Sequence, residues 1–96
     1  MTDEKVAALK KQIEADPKNS RLFFQLGEHY FETGKYPEAL EELTKAVALN
    51  PQDPEIHKEI GNVHFKLQQY QPALECYHKA LDMNQKYYKA LYNLGN

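Results

Sequence analysis

Apolar residues recur three and four positions apart along nearly the whole chain, the spacing of helices that bury one face. Leu26 and Tyr30 show this spacing. Ala39, Leu43 and Ala46 follow, then Ala73, Tyr77 and Ala80, and last Ala90, Leu91 and Leu94. Polar stretches separate these runs. Asp53-Pro54-Glu55 reads as an N-cap, a proline at the first helical position and an acid in the first turn. Pro37 and Pro72 also stand near helix starts, where a missing N–H costs little. Six helices are predicted, over roughly residues 3–15, 20–33, 37–49, 54–67, 71–83 and 87–96. The short connections make neighbouring helices antiparallel, so the expected class is all-α.

The pattern repeats. Phe23–Pro51 aligns on His57–Gln85 at a constant offset of 34 residues. Gly27 falls on Gly61, Phe31 on Phe65, Tyr36 on Tyr70, Ala39 on Ala73, Leu40 on Leu74, and Lys45-Ala46 on Lys79-Ala80. A further step carries Leu26-Gly27 through Ile60-Gly61 to Leu94-Gly95, and a backward step carries Pro51 onto Pro17 and Leu43 onto Leu9. Small residues recur where helices must approach closely. Gly34 suits a left-handed turn between paired helices, whereas Gln68 stands at the matching position, predicting a tighter or slightly strained turn there.

This period, with Phe23, Leu26-Gly27, Tyr30, Ala39, Leu43, Ala46 and Pro51 at their offsets, resembles the tetratricopeptide repeat. The second copy carries Ile60-Gly61, Ala73, Tyr77 and Ala80, with His57 and His64 in place of large aromatics and Gln85 in place of the proline. The resemblance covers essentially the whole chain and implies an α-solenoid of antiparallel helix pairs. It divides residues 1–96 into the second helix of a partial repeat (1–19), repeats at 20–53 and 54–87, and a truncated first helix at 88–96.

In this family the first helix of each pair lines a concave groove that takes peptides. Carried over, the groove positions are Arg21, Phe24, Glu28, Phe31 and Glu32 on one helix. The next contributes Glu55, Lys58, Glu59, Asn62, Phe65 and Lys66, and the last Lys89, Tyr92, Asn93 and Asn96. Amides can hold an extended peptide backbone, aromatics offer contact area, and lysines can meet a carboxylate. Equally, such a mixed-charge surface can simply be solvated. Some relatives clamp chaperone C-terminal carboxylates with a Lys, Asn, Asn, Lys, Arg set. Lys58, Asn62 and Asn93 match its first three members, and the other two fall beyond Asn96. Started one repeat earlier, the same set meets Phe24, Glu28, Glu59, Lys89 and Asn93, of which only Lys89 fits. A complete clamp is absent.

Composition narrows the rest. A net charge of −2 argues against a dedicated nucleic-acid binder, and no apolar run reaches bilayer-spanning length. The acidic start MTDEK is unlike a signal peptide, and Cys76 is the single cysteine, so the expected setting is cytoplasmic. No nucleophile elbow, phosphate loop or ligand constellation points to an enzyme or a cofactor. His57 and His64, seven apart, read as packing residues rather than metal ligands, and His29 and His78 have no evident partner. Cys76 reads as a small, partly buried residue with an unreactive thiol.

Two functions follow as expectations. One is a scaffold binding a peptide or partner helix in the groove. The other is self-assembly, in which the incomplete end repeats complete one another between copies or by domain swapping.

Overall fold

A computed structural model describes the backbone of residues 3–95 and the side chains of residues 3–84. Among the described residues five helices account for the regular structure: α1 (Glu4–Ala15), α2 (Ser20–Glu32), α3 (Tyr36–Leu49), α4 (Pro54–Lys66) and α5 (Tyr70–Gly95). The first four lie within a residue or so of the predicted ranges. The fifth corrects the sequence expectation, because the two helices predicted at 71–83 and 87–96 are one continuous helix. The physical reason is local. The two earlier second-helix ends read Asp16-Pro17 and Asn50-Pro51, and proline cannot continue a helix there without losing a hydrogen bond and clashing. The matching stretch, Asn84-Gln85-Lys86, contains neither proline nor glycine, so nothing stops the ladder.

The chain divides into two units, residues 1–51 and 52–96. In the first, α2 packs on α3 and α1 packs on α2. Val6 and Leu9 from α1, Leu22, Phe24, Leu26 and Tyr30 from α2, and Ala39, Leu43 and Ala46 from α3 form its core. A Cβ added at Gly27 would sit 2.7 Å from Leu43 Cγ and 3.2 Å from the Ala39 carbonyl oxygen. Glycine is therefore what lets α2 and α3 meet. Glu42 is buried too, with Lys45 Nζ 3.6 Å from its carboxylate.

In the second unit α4 packs on α5. Ile56, Val63, Ala73 and Ala80 are its buried apolar residues among those described. The glycine contact recurs one repeat on, with a Cβ at Gly61 placed 2.7 Å from Tyr77 Cε1 and 3.2 Å from the Ala73 carbonyl.

Each unit turns between its paired helices with the same hydrogen bonds. Lys35 N donates to Tyr30 O and Gly34 N to Phe31 O; Gln69 N donates to His64 O and Gln68 N to Phe65 O. Both are Schellman motifs, which require a left-handed residue after the helix. Gly34 takes it at φ 81° and Gln68 at φ 63°. For a residue with a Cβ that conformation costs about 1–2 kcal/mol. Gln68→Gly is therefore expected to raise stability by about 0.5–1 kcal/mol after the added freedom of the unfolded chain is subtracted. Urea denaturation followed by circular dichroism reads this directly, and no gain would refute it.

Two N-termini carry side-chain caps, that of α4 at the Asp53 the sequence suggests and that of α2 at Asn19. Asp53 Oδ1 accepts from Glu55 N at 3.0 Å, and Asn19 Oδ1 accepts from Arg21 N at 3.1 Å. These caps fix where α4 and α2 begin, and hence which of their side chains face outward.

Candidate functional site

On α4, Glu55, Lys58, Glu59, Asn62, Phe65 and Lys66 fall on one arc of the helix, beside the buried Ile56 and Val63. The structure exposes Glu55, Lys58, Phe65 and Lys66 and leaves Glu59 and Asn62 half-buried. Asn62 is held from two sides. Its Oδ1 accepts from the Tyr77 hydroxyl of α5 at 2.6 Å, and its Nδ2 donates to Glu59 Oε1 at 3.3 Å. An amide offers two N–H donors and two acceptor lone pairs, so one of each remains beyond these two bonds. Tyr77 thereby fixes the direction of an amide on the outer face of α4. Burial first, then the charges of Cys76 and Glu59, push its phenol above the ordinary value of 10.0, so the hydroxyl stays a donor near neutrality.

At the start of α4 the second unit has a cleft of about 200 Å³, lined by Pro54, Glu55, Lys58, Ala80 and Asn84. Lys58 is the cation at its edge. A further cleft of about 360 Å³ is lined by Gln52, Lys79, Asp82 and Met83. At the other end of the α4 face, the Phe65 ring meets the Tyr70 ring edge-on, with centroids 5.3 Å apart.

The equivalent face of α2 differs. Arg21 and Glu32 are exposed, and Glu28 and Phe31 are half-buried. Phe24, expected to face a groove, is instead 8% exposed and part of the core. The Arg21 guanidinium stands 5.9 Å from its ring centroid, within reach of a cation–π contact. The Lys89, Tyr92 and Asn93 side chains, and Asn96 altogether, lie outside the described residues.

His29, for which the sequence offers no partner, has one. Its Nε2 lies 2.8 Å from Asp3 Oδ1, which ties the start of α1 to α2. The contact spans 26 residues, and Asp3 makes it instead of capping its own helix. His64 Nδ1 lies 2.8 Å from Gln69 Oε1, a local contact across the turn. No group of three or more His, Cys, Asp or Glu capable of holding a metal occurs among the described residues. Cys76 is half-buried, and burial, only partly opposed by Lys79, pushes its thiol above 9.0, which keeps it protonated. No described helix is long and apolar enough to cross a membrane.

Two sequence-family descriptions match the chain: a TPR repeat over residues 27–68 and a tetratricopeptide repeat over residues 54–87. The chain belongs to the tetratricopeptide repeat family. Its paired glycine contacts and matched turns are the structural counterpart of that membership. The family consists of protein-interaction modules, and the chain is a protein-interaction scaffold in that general sense.

Solved structures carry the same all-α helical-repeat fold. MamA MSR-1 C2 is 27% identical, with a TM-score of 0.82 over 88% of this chain and 48% of its own. MamA AMB-1 C2221 is 28% identical, with a TM-score of 0.79 over 84% of this chain and 48% of its own. MamA 41-end from Desulfovibrio magneticus RS-1, at 22% identity and a TM-score of 0.81 over 84% and 46%, shares the fold. The tetratricopeptide chain spans about half the length of the solved chains it matches. Comparison with curated proteins gives no match.

Proposed function

We propose that this tetratricopeptide chain binds an extended peptide or a partner helix along the outer face of α4, with an acidic ligand group set near Lys58. The observation that carries this reading is the Asn62 amide, fixed by Tyr77 and Glu59 between an exposed lysine and an exposed aromatic. A pre-oriented amide loses little freedom when it bonds a peptide backbone, which favours binding. Lys58 adds charge-assisted recognition, and Phe65 adds contact area. On α2, where arginine stands beside a buried ring and two glutamates follow, the same acidic group meets like charge. Lys89, which the family pattern places on the same groove, is the second cation in this reading.

The test is a peptide-array screen followed by titration calorimetry with the best acidic peptide. Replacing both Lys58 and Lys89 by glutamate is expected to weaken that binding roughly tenfold, and the loss should shrink in high salt. Unchanged affinity would remove the acidic-ligand assignment. Failure of any peptide to shift amide resonances on α4 would remove the binding face itself.

A second reading, self-assembly between copies, is favoured by a separate observation. Apolar side chains on the second unit are left in solvent: Phe65, Tyr70, Leu74 and Leu81 are each more than half exposed. A protein partner or another copy of the chain would gain by covering them.

A further inference from the structure

The four exposed residues form one strip. Tyr70, Leu74 and Leu81 stand at i, i+4 and i+11 on α5 and so share a helix face, and Phe65 joins them through its edge-on contact with Tyr70. Their exposures are 53%, 53%, 51% and 56% for Phe65, Tyr70, Leu74 and Leu81. Thirty-four residues earlier the matching positions are Phe31, Tyr36, Leu40 and Val47, and all four are half-buried. The same repeat positions therefore have cover in the first unit that they lack in the second.

The chain contains a segment patterned to supply that cover, but in the wrong place. Residues 87–95 repeat the first-helix sequence, Leu94-Gly95 matching Ile60-Gly61. In a repeat array such a segment turns back and lies against the helix before it. Here it continues the axis of α5 without a break. At 1.5 Å per residue, Leu94 lies about 20 Å beyond Leu81 along the helix, and a straight helix cannot cover its own face. The nine residues of the segment extend about 13 Å, close to the roughly 16 Å from Tyr70 to Leu81.

We infer that two copies of this chain exchange these segments. Residues 87–95 of each copy lie on the strip of Phe65, Tyr70, Leu74 and Leu81 of the other. The contact is the same patch used twice, so it closes as a two-fold dimer rather than growing into a filament. It rests on the self-assembly reading above and specifies the interface, the occupant and the symmetry. The continuous helix through Asn84-Gln85-Lys86 is what makes exchange possible. A turn there, as at Asn50-Pro51, would let each copy cover itself.

The experiment is light scattering coupled to size-exclusion chromatography on the 96-residue chain, over about a hundredfold range of concentration. The expected result is a two-fold mass that falls toward one chain on dilution. Leu74→Glu combined with Leu81→Glu places charges on the strip at solvent-exposed positions. That variant is expected to stay helical by circular dichroism while its dimer dissociation constant rises at least tenfold. Gln85→Pro breaks the continuous helix at the position where Pro51 and Pro17 stand, and is expected to yield a monomer of unchanged fold. A monomer across the whole range for the unaltered chain overturns both the exchange and self-assembly. A dimer indifferent to the strip glutamates, or to Gln85→Pro, overturns the exchange alone and leaves self-assembly through another surface.

Discussion

Replacing Leu43 by alanine will lower the stability of the chain by roughly 2–5 kcal/mol. Leu43 is fully buried and fills the space in front of Gly27, so the deletion removes apolar burial and leaves a void beside a residue with no side chain. Glycine cannot grow into that void, and α2 approaches too closely for the backbone to relax far. In a chain of 96 residues this corresponds to a drop of roughly 10 °C or more in the thermal midpoint. Leu49→Ala provides the control. Leu49 is 41% exposed, and its loss should change stability by no more than about 0.5 kcal/mol. Equal effects at the two positions would contradict the packing described for α2 and α3.

The second large effect is expected at Gly27. Alanine is the better helix former by about 1 kcal/mol, so an open helix position would be stabilised by Gly→Ala. Here the new Cβ meets Leu43 Cγ at 2.7 Å, Leu43 Cδ2 at 2.9 Å and the Ala39 carbonyl at 3.2 Å. Two of these belong to a fully buried side chain and one to backbone, so none can move aside freely. Overpacking of this kind costs about 1–3 kcal/mol and outweighs the propensity gain. The double variant Gly27→Ala with Leu43→Ala sharpens the test, because the added methyl then enters the space the leucine leaves. Its loss should fall short of the two single losses together by about 0.5 kcal/mol or more, measured by urea denaturation. Strict additivity would mean that the two residues do not share a contact. Gly61→Ala should cost less, since the obstructing atoms belong to the half-buried Tyr77 ring, which can swing outward.

The glycine contacts were legible before any coordinates, because Gly27 and Gly61 sit at one repeat position with Ala39 and Ala73 at another. So was the strained turn at Gln68, read from its alignment with Gly34. Other features lay outside what a repeat can announce. The Asp3–His29 contact joins residues 26 apart on different helices, and neither belongs to the apolar pattern. Phe24 and Lys58 occupy the same repeat position, yet one is buried beside an arginine and the other is exposed, since only side-chain chemistry distinguishes them. The continuity of α5 escapes the repeat pattern for a different reason. Repeat homology demanded a turn after residue 83, while the local residues Asn84-Gln85-Lys86 contained nothing to make one. The local chemistry decided the helix.

The hydroxyl that holds Asn62 has an optical consequence. The chain has seven tyrosines and no tryptophan, so phenols dominate its near-ultraviolet absorption and emission. Tyr77 is the phenol bonded to the α4 amide, so a ligand that takes the amide's remaining donor and acceptor changes the polarity around its ring. The ring would then report occupancy of the face through its own difference spectrum, without a dye. Tyr77→Phe, which keeps the ring but removes the hydroxyl, marks which part of the signal is its own.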